Sequence, residues 1–304
     1  MKKQHLSPRP NAFKAIGNSY TQVIFACQPW GGLAICLALL LCSPRYALVG
    51  LIATTISYLL ALICREESDK VTQGLSGYNP LLTAIAVYSL VGGWMGVLWA
   101  AIGAVITYFV TRLMQRWMGA MPVLTAPFVL TSWALVPLMR LWPTSPSIHL
   151  FWDATWDIAS PTNIWRGDLL SFGEIYLQDN LCFSLVIMLI LLMGSWKHQG
   201  WVLCTLLLLP AVATLFGWQE SLSSGLLGYN PLLVAAALAT FPSPLRSMWG
   251  RVGEGLLAIL FSIVISYYGL QLFGYWHFPL YTAPFVLTTW LLLALRKCMP
   301  LRKR

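Results

Sequence analysis

Two sequence blocks occur twice in this chain at nearly the same spacing, and this duplication constrains the fold more than any other feature. Gly-Tyr-Asn-Pro-Leu-Leu occupies 77–82 and again 228–233, 151 residues further on. Thr-Ala-Pro-Phe-Val-Leu-Thr occupies 125–131 and 282–288, 157 residues apart. In a chain of 304 residues, offsets of about half the length predict one structural unit present twice.

The composition indicates that lipid surrounds this duplicated unit. Hydrophobic residues make up 58% of the chain and charged residues only 10%, against about 25% charged in soluble domains. The 15 Trp and 12 Tyr suit the aromatic belts found at membrane surfaces. The net charge of +9 is spread over the termini and the gaps between apolar runs, so it predicts membrane topology and no nucleic-acid partner.

The apolar runs predict the helices, allowing about 20 residues for an ordinary span. The first half has runs near 30–43, 46–64, 80–94, 96–113 and 122–139, and the second near 180–195, 200–217, 231–242, 252–273 and 280–295. Two further segments, 19–28 and 169–179, are too short to span and are predicted to be re-entrant half-helices. The expected fold is an all-α integral membrane bundle of about ten transmembrane helices plus two half-helices.

The positive-inside rule orients the bundle. Most Lys and Arg fall in the gaps that lie inside if the N-terminus is inside, which predicts that both termini are cytoplasmic. Because each half has an odd number of spans, the second repeat is expected to be inverted relative to the first. The expected parts are a cytoplasmic tail (1–18), a first membrane repeat (19–140), an extracellular or periplasmic linker (141–168), a second repeat (169–297) and a basic cytoplasmic tail (298–304).

Thr125 and Thr282 are the first candidates for a functional site. Each lies in a Pro-x-x-Thr-x-Pro-Phe element, at 122–128 and 279–285. Two prolines five residues apart prevent a continuous helix, which frees backbone carbonyls and allows the Thr hydroxyl to face a pore. For a single copy, the better explanation is a proline kink in a packed helix, with Thr bonded to its own helix. The duplication favours a pore.

Tyr78 and Tyr229 come next, within Tyr-Asn-Pro at 78–80 and 229–231. Pro near a helix start is inexpensive, and the Asn before it can cap that helix. The Tyr hydroxyl needs a partner if it is buried. We predict that the two flat rings form the walls of a slot.

Gln22 and Glu174 align with each other at an offset of 152, close to that of the Tyr-Asn-Pro blocks. Glu174 is the one acid in the core of a short broken segment, and an acid within the membrane is a functional candidate by default. The alternative is a solvated cap at the membrane surface.

The sequence contains no pattern typical of a metal site, a disulfide framework or a nucleotide-binding site. The seven Cys and four His are scattered without metal-ligand or disulfide spacing, and there is no phosphate-binding loop. The sequence therefore predicts neither an enzyme nor a metal or cofactor site. Without a chain of intramembrane acids or an Arg-rich helix, it favours a passive path for a small uncharged solute.

Over about 17–297, these paired motifs resemble the urea transporter family. The resemblance implies a homotrimer with one urea-conducting pore in each subunit. It assigns the slot and the narrow middle of the pore to twelve positions: Gln22, Val23, Phe25, Tyr78, Leu82, Thr125, Glu174, Ile175, Leu177, Tyr229, Leu233 and Thr282. Many relatives carry Phe at the positions of Tyr78 and Tyr229.

Urea is thus the expected substrate, and other small amides, ammonia and water are further candidates. The short termini favour a bacterial inner membrane, with a cytoplasmic urease as the metabolic partner. Two other functions stay open. One is a proton-coupled secondary transporter of a small polar solute that uses Glu174. The other is a membrane assembly subunit without a pore.

Overall fold

The computed structural model describes residues 10–141 and 164–298, and within these ranges the chain is helical and contains no strand. The first half contains α1 (Ala12–Gln22), α2 (Pro29–Cys42), α3 (Pro44–Ile63), α4 (Ser68–Thr72), α5 (Tyr78–Val91), α6 (Gly93–Met118) and α7 (Ala126–Met139). The second half contains α8 (Ile164–Glu174), α9 (Leu181–Leu192), α10 (Trp196–Phe216), α11 (Gln219–Ser223), α12 (Tyr229–Thr240), α13 (Met248–Tyr275) and α14 (Ala283–Cys298).

All ten predicted apolar runs are helices, and the prediction of an all-α membrane bundle is confirmed. In the described ranges, α3, α6, α10 and α13 are long and apolar enough to cross a bilayer by length and composition. The helices α2, α5, α7, α9 and α12 are apolar but shorter. Outside α5 and α12, many of the large apolar side chains are exposed, so the bundle has a wide surface for lipid.

The same helix pairs pack together in both halves. In the first half α5 packs against α3, α6 and α7, and in the second α12 packs against α10, α13 and α14. The short helix α1 packs on α2 as α8 packs on α9. The halves meet where α2 packs on α9 and where α7 packs on α14. The helices α5 and α12 are buried along most of their length, so each is the centre of its half.

The two half-helices begin earlier than predicted. The segment expected at 19–28 is α1, which begins at Ala12 and ends at Gln22. The segment expected at 169–179 is α8, which begins at Ile164, inside the predicted linker. Polar side chains that suggested solvent are buried instead, since the Asn18 amide donates to the Thr72 carbonyl over 2.7 Å and Asp168 is buried.

The remaining boundary predictions fall largely outside the described residues. The predicted linker between 142 and 163 and the tails at 1–9 and 299–304 belong to this group. The short helices α4 and α11 were not predicted. They lie 151 residues apart and precede the two Tyr-Asn-Pro blocks, so they extend the duplication.

A close approach explains the glycine that opens each duplicated block. A Cβ on Gly77 would lie 2.2 Å from the Ser19 hydroxyl oxygen, and a Cβ on Gly228 would lie 2.1 Å from that of Ser171. Real Cβ atoms do not approach other atoms so closely. Glycine therefore allows α1 to pack against the start of α5, and α8 against the start of α12.

Candidate functional site

A cavity of about 490 Å³ lies between the two halves. The end of α1, the start of α5 and the segment before α7 form one side of it, and the end of α12 and the start of α14 form the other. Among the residues that line it are Gln22, Val23, Phe25, Tyr78, Leu124, Thr125, Thr240, Phe241 and Phe285. Lys70, which forms a salt bridge with Glu67 at 2.9 Å, also lines the cavity. The other lining residues are apolar or uncharged, so the cavity suits a small neutral solute better than an ion.

The turn after α1 positions Phe25 in this cavity. The Ala26 amide donates to the Thr21 carbonyl over 3.0 Å and the Phe25 amide donates to the Gln22 carbonyl over 3.1 Å, a hydrogen-bond pair that ends many helices. Phe25 is left-handed, with φ of 58°, at a position where glycine is usual. A left-handed conformation disfavours any residue with a Cβ. The turn therefore keeps a residue with a strained backbone at the wall of the cavity.

The turn after α8 has the same geometry. Leu177 also has φ of 58°. The Gln178 amide donates to the Gly173 carbonyl over 3.1 Å, and the Leu177 amide donates to the Glu174 carbonyl over 3.0 Å. Gln22 and Glu174 are each the last residue of an 11-residue helix. The carbonyl end of each short helix thus lies beside its candidate side chain.

Aromatic rings from the second half meet Phe25. The ring of Phe241 lies 5.9 Å from that of Phe25 and the ring of Phe285 lies 6.0 Å from it, both edge to face. Such contacts stabilise aromatic pairs by about 0.5–1.5 kcal/mol beyond their burial. They narrow this part of the cavity with flat, apolar surfaces.

The first Tyr-Asn-Pro block holds the segment before α7. The Tyr78 hydroxyl donates to the Leu124 carbonyl over 2.6 Å, and the Asn79 amide donates to the same carbonyl over 3.0 Å. The Asn79 side-chain oxygen accepts from the Phe128 amide over 3.3 Å. Asn79 was predicted to cap its own helix. It caps α7 instead, since Phe128 lies in the first turn of that helix.

The second block repeats the arrangement. The Tyr229 hydroxyl donates to the Tyr281 carbonyl over 2.6 Å, and the Asn230 amide donates to it over 3.3 Å. The Asn230 side-chain oxygen accepts from the Phe285 amide over 3.1 Å. Leu124 and Tyr281 are both left-handed, with φ of 52° and 49°, and the Tyr and Asn hydrogen bonds to their carbonyls hold this conformation. Each Tyr hydroxyl therefore holds the backbone segment that precedes α7 or α14 against the start of α5 or α12.

Thr125 and Thr282 meet between the halves. Their hydroxyl oxygens lie 2.6 Å apart in a buried hydrogen bond in which either can donate. Each Thr immediately precedes a helix, α7 or α14. The alternative of a kink inside a continuous helix is wrong, because the backbone before each Thr is not helical. The duplicated hydroxyls are thus partners of each other.

Two tryptophans join the halves on either side of this contact. The Trp133 indole N–H donates to the Pro279 carbonyl over 2.8 Å, and the Trp290 indole N–H donates to the Pro122 carbonyl over 2.9 Å. Each Trp lies in the helix that follows its own Thr and bonds to the proline of the other half. The two bonds are reciprocal, as a twofold relation requires.

Glu174 is buried at the end of α8. Within residues 10–141 and 164–298, its carboxylate has no cationic partner. Close by in the chain, the Tyr176 hydroxyl donates to the Tyr20 carbonyl over 2.6 Å, which links the ends of the two short helices.

A family model described as "Urea transporter" matches residues 13–297. The chain belongs to the urea transporter family. The chain is also 27% identical to "Urea transporter 1" of Rattus norvegicus over 301 residues, which covers 90% of this chain and 74% of the relative. It is 27% identical to "Urea transporter 1" of Ovis aries over 314 residues, with 95% and 79% covered. The family name describes transporters and not enzymes.

In this member of the urea transporter family, five of the residues predicted from the sequence line the cavity: Gln22, Val23, Phe25, Tyr78 and Thr125. Thr282 joins them through Thr125. Leu82 and Leu233 are fully buried in the core beside the two Tyr residues, and Glu174, Ile175, Leu177 and Tyr229 occupy the matching positions of the second half.

Four residues of the site were missed: Phe241, Phe285, Trp133 and Trp290. A signal existed for the tryptophans, because the duplicated block continues as Thr-Ser-Trp at 131–133 and Thr-Thr-Trp at 288–290. Phe285 lies within the duplicated block itself. Phe241 has no counterpart in the repeat and could be found only from its position in space.

Proposed function

We propose that this protein conducts urea passively across the membrane, through a narrow path between two inverted repeats. The observation that carries the proposal is the buried contact of Thr125 with Thr282 at 2.6 Å. Thr125 lines the cavity of about 490 Å³, and its contact with Thr282 joins the two halves. Membership of the urea transporter family supplies the solute.

Reciprocal contacts support a twofold relation between the halves, which an inverted repeat also requires. In a twofold pair, if one half's residue i contacts residue j of the other, then j of the first contacts i of the second. The bonds of Trp133 to Pro279 and of Trp290 to Pro122 follow this rule. The odd number of spans per half and the distribution of Lys and Arg support the same inversion, with both termini cytoplasmic.

The chemistry of the wall suits urea. Urea is planar and neutral and carries four N–H donors. The rings near Phe25 and the aliphatic side chains can cover its two faces, while oxygens accept from its edges. The carbonyl ends of α1 and α8, next to Gln22 and Glu174, carry partial negative charge that favours N–H donors and opposes anions. Hydrated ions would lose their water without replacement.

The Thr pair sets a small barrier in this path. With the hydroxyl oxygens 2.6 Å apart, a solute passes only when the two side chains separate. A hydrogen bond of this kind contributes about 0.5–1.5 kcal/mol net, and urea can replace it with its own N–H groups and carbonyl. The barrier is therefore compatible with rapid passive flux.

The oligomeric state and the membrane in which the protein lies belong to the same proposal. We propose a homotrimer in a bacterial inner membrane, with one path in each subunit and a cytoplasmic urease consuming the product of transport. Small amides, ammonia and water are secondary solutes. All twelve positions named from the sequence belong to the proposed path or to the side chains that directly support it.

Urea flux into proteoliposomes of the purified protein tests the function. We expect urea to equilibrate rapidly at the same rate with and without a pH gradient, as measured by stopped-flow light scattering. Accumulation above equilibrium that requires a proton gradient would establish the coupled transporter. Absence of urea flux through folded protein would overturn the proposal and would favour an assembly subunit.

Substitutions at Glu174 sharpen this test. Glu174→Gln restores the residue type of its counterpart Gln22, so a passive path should retain most of its flux. Glu174→Leu removes the side-chain oxygens and should lower the flux at least about tenfold, which corresponds to about 1.4 kcal/mol of barrier. Glu220→Gln in the exposed start of α11 is the control. A proton carrier would instead lose coupling in both Glu174 variants.

A further inference from the structure

A second cavity, of about 480 Å³, lies away from the proposed path at one end of the second half. The start of α10, the end of α12, the start of α13 and the end of α14 surround it. Three cations line it: Lys197, Arg251 and Arg296. Neither Asp nor Glu is among its described lining residues.

Among the described residues, Arg296 is the one cation of these three with an acidic partner. Arg296 forms two hydrogen bonds with the Glu254 carboxylate, of 2.8 and 2.9 Å, and both side chains are largely buried. Lys197 and Arg251 are exposed and have no acidic partner among residues 10–141 and 164–298. The cavity therefore presents two uncompensated positive charges.

Two helix starts add to this positive potential. The helices α10 and α13 have 21 and 28 residues and begin at Trp196 and Met248, both of which line the cavity. The unpaired N–H groups at a helix start carry partial positive charge and favour an anion. The charge of the cavity thus comes from side chains and backbone together.

The remainder of the wall is apolar. Trp201, Cys204, Leu238 and Val252 extend from the cations along α10, α12 and α13. At the outer edge, Trp196 is exposed and the Lys197 ammonium lies 5.7 Å from the centre of its ring. Trp rings and snorkelling Lys side chains are typical of the boundary between headgroups and hydrocarbon. A free inorganic anion would make no use of this apolar wall.

We propose that this cavity is a binding site for an anionic phospholipid. The phosphate and headgroup lie between Lys197 and Arg251, and one acyl chain follows the apolar wall. Basic pockets between transmembrane helices on the cytoplasmic side bind anionic lipid headgroups in this way. The gaps that contain Lys197 and Arg251 are on the cytoplasmic side in the orientation proposed above. The lipid site does not depend on the identity of the transported solute.

The first half does not repeat the site. Arg45, which lies 152 residues before Lys197 and also at the start of a long helix, is the counterpart of Lys197. The counterpart of Arg251, 157 residues earlier, is Trp94. Arg45 is therefore a matched control cation without a second cation beside it.

Native mass spectrometry of the purified full chain tests the proposal. The protein is titrated with phosphatidylglycerol and, separately, with phosphatidylcholine of the same acyl chains. We expect the wild type to prefer phosphatidylglycerol and the Lys197→Gln/Arg251→Gln variant to lose that preference, with a fall in phosphatidylglycerol affinity of about tenfold. An Arg45→Gln/Arg116→Gln variant removes two cations outside the cavity and should bind like the wild type.

Three outcomes would overturn the proposal. The cavity variant could bind phosphatidylglycerol as the wild type does, or the control variant could lose binding equally, which would indicate nonspecific charge. A change of oligomeric mass in the cavity variant, measured by light scattering, would show that a second copy of the chain occupies the cavity. Because Lys197 and Arg251 are exposed, unchanged circular dichroism is expected in the variants.

Discussion

The contact between Thr125 and Thr282, the pair that we propose to lie on the path, joins two equivalent positions of the repeat. Each hydroxyl is the counterpart of the other in the duplicated sequence, and they are hydrogen-bonded to each other at 2.6 Å. Changing one side chain therefore also changes the environment of its counterpart. Stability and flux respond differently to single and double substitutions at this pair.

Replacing both Thr by Val should lower urea flux about tenfold or more. Val keeps the shape and removes the hydroxyls, and each lost hydrogen bond to the solute raises the barrier by about 1 kcal/mol. Thr125→Val alone leaves the buried Thr282 hydroxyl unpaired, which costs about 1–3 kcal/mol. The single variant should unfold at a lower temperature than the double variant, as measured by thermal unfolding in detergent. The reverse order would contradict the contact.

The close approach of Gly77 to Ser19 gives a second prediction. Gly77→Ala forces its Cβ against the Ser19 hydroxyl and should destabilise the protein by about 1–3 kcal/mol. Adding Ser19→Gly removes the obstacle, so the double variant should be more stable than the sum of the two single effects predicts.

Two comparisons control this experiment. Gly228→Ala with Ser171→Gly should give the same result in the second half. Gly253→Ala, where an added Cβ meets nothing within 4 Å, should be neutral or slightly stabilising. Additive effects of Gly77→Ala and Ser19→Gly would show that the two residues are not in contact.

At the scale of elements, the helices α7 and α14 are attached to each other by side chains and not by a broad packed surface. The reciprocal Trp bonds run from these helices to the segments that precede the opposite helix. Those segments carry Thr125 and Thr282. We therefore expect the spacing of the Thr pair to depend on both tryptophans.

Trp133→Phe and Trp290→Phe test this dependence. Phe keeps an aromatic ring, including the stack of residue 133 on Phe273 at 5.3 Å, and removes the N–H. Each substitution should cost about 1 kcal/mol of stability and should reduce the ratio of urea to N-methylurea flux, because the narrow middle is less constrained. Trp249→Phe at an exposed ring is the control. Unchanged selectivity in the two variants would show that the bonds do not set the width.

The long helices were predicted well because exposure to lipid requires a simple run of apolar residues in the sequence. The ten apolar runs became helices because a backbone in hydrocarbon must satisfy its own hydrogen bonds. The short helices were misplaced because polar residues such as Asn18 and Asp168 are buried, Asn18 with a hydrogen bond to Thr72, 54 residues away. Composition along the chain does not contain that information.

The residues of the candidate site that the sequence identified lie in segments that are repeated or aligned between the two halves. Thr125 and Thr282 were found because the same block appears twice, and Gln22 and Glu174 because they align at nearly the same offset. The role of Asn79 was assigned to the wrong helix, because its partner Phe128 is 49 residues away. Phe241 has no copy, and only packing against Phe25 brings it to the cavity.

At the scale of the whole molecule, the halves are joined by direct contacts in addition to the chain between them. The helix α2 packs on α9 and α7 on α14, and the Tyr176 hydroxyl and both indoles bond across the boundary. These contacts do not require a covalent connection.

A cut in the connection should therefore leave transport intact. A protease site inserted within 142–163 and cleaved after reconstitution should give two fragments that remain associated and conduct urea at a rate close to that of the uncut protein. Gel electrophoresis establishes the cut, and the light-scattering assay measures the flux. Loss of flux on cleavage would mean that the connection itself holds the path.

The two left-handed turns have one further consequence. Their backbones match, but one presents Phe25 and the other Leu177. With the repeats inverted as proposed, these side chains lie at opposite entrances, which therefore hold solute with different strength. Detailed balance forbids such an asymmetry from driving net movement, and it requires the permeability at low concentration to be equal in both directions. It does allow uptake and efflux to saturate at different concentrations, so the chemical difference between one ring and one aliphatic side chain should be measurable as two half-saturation values.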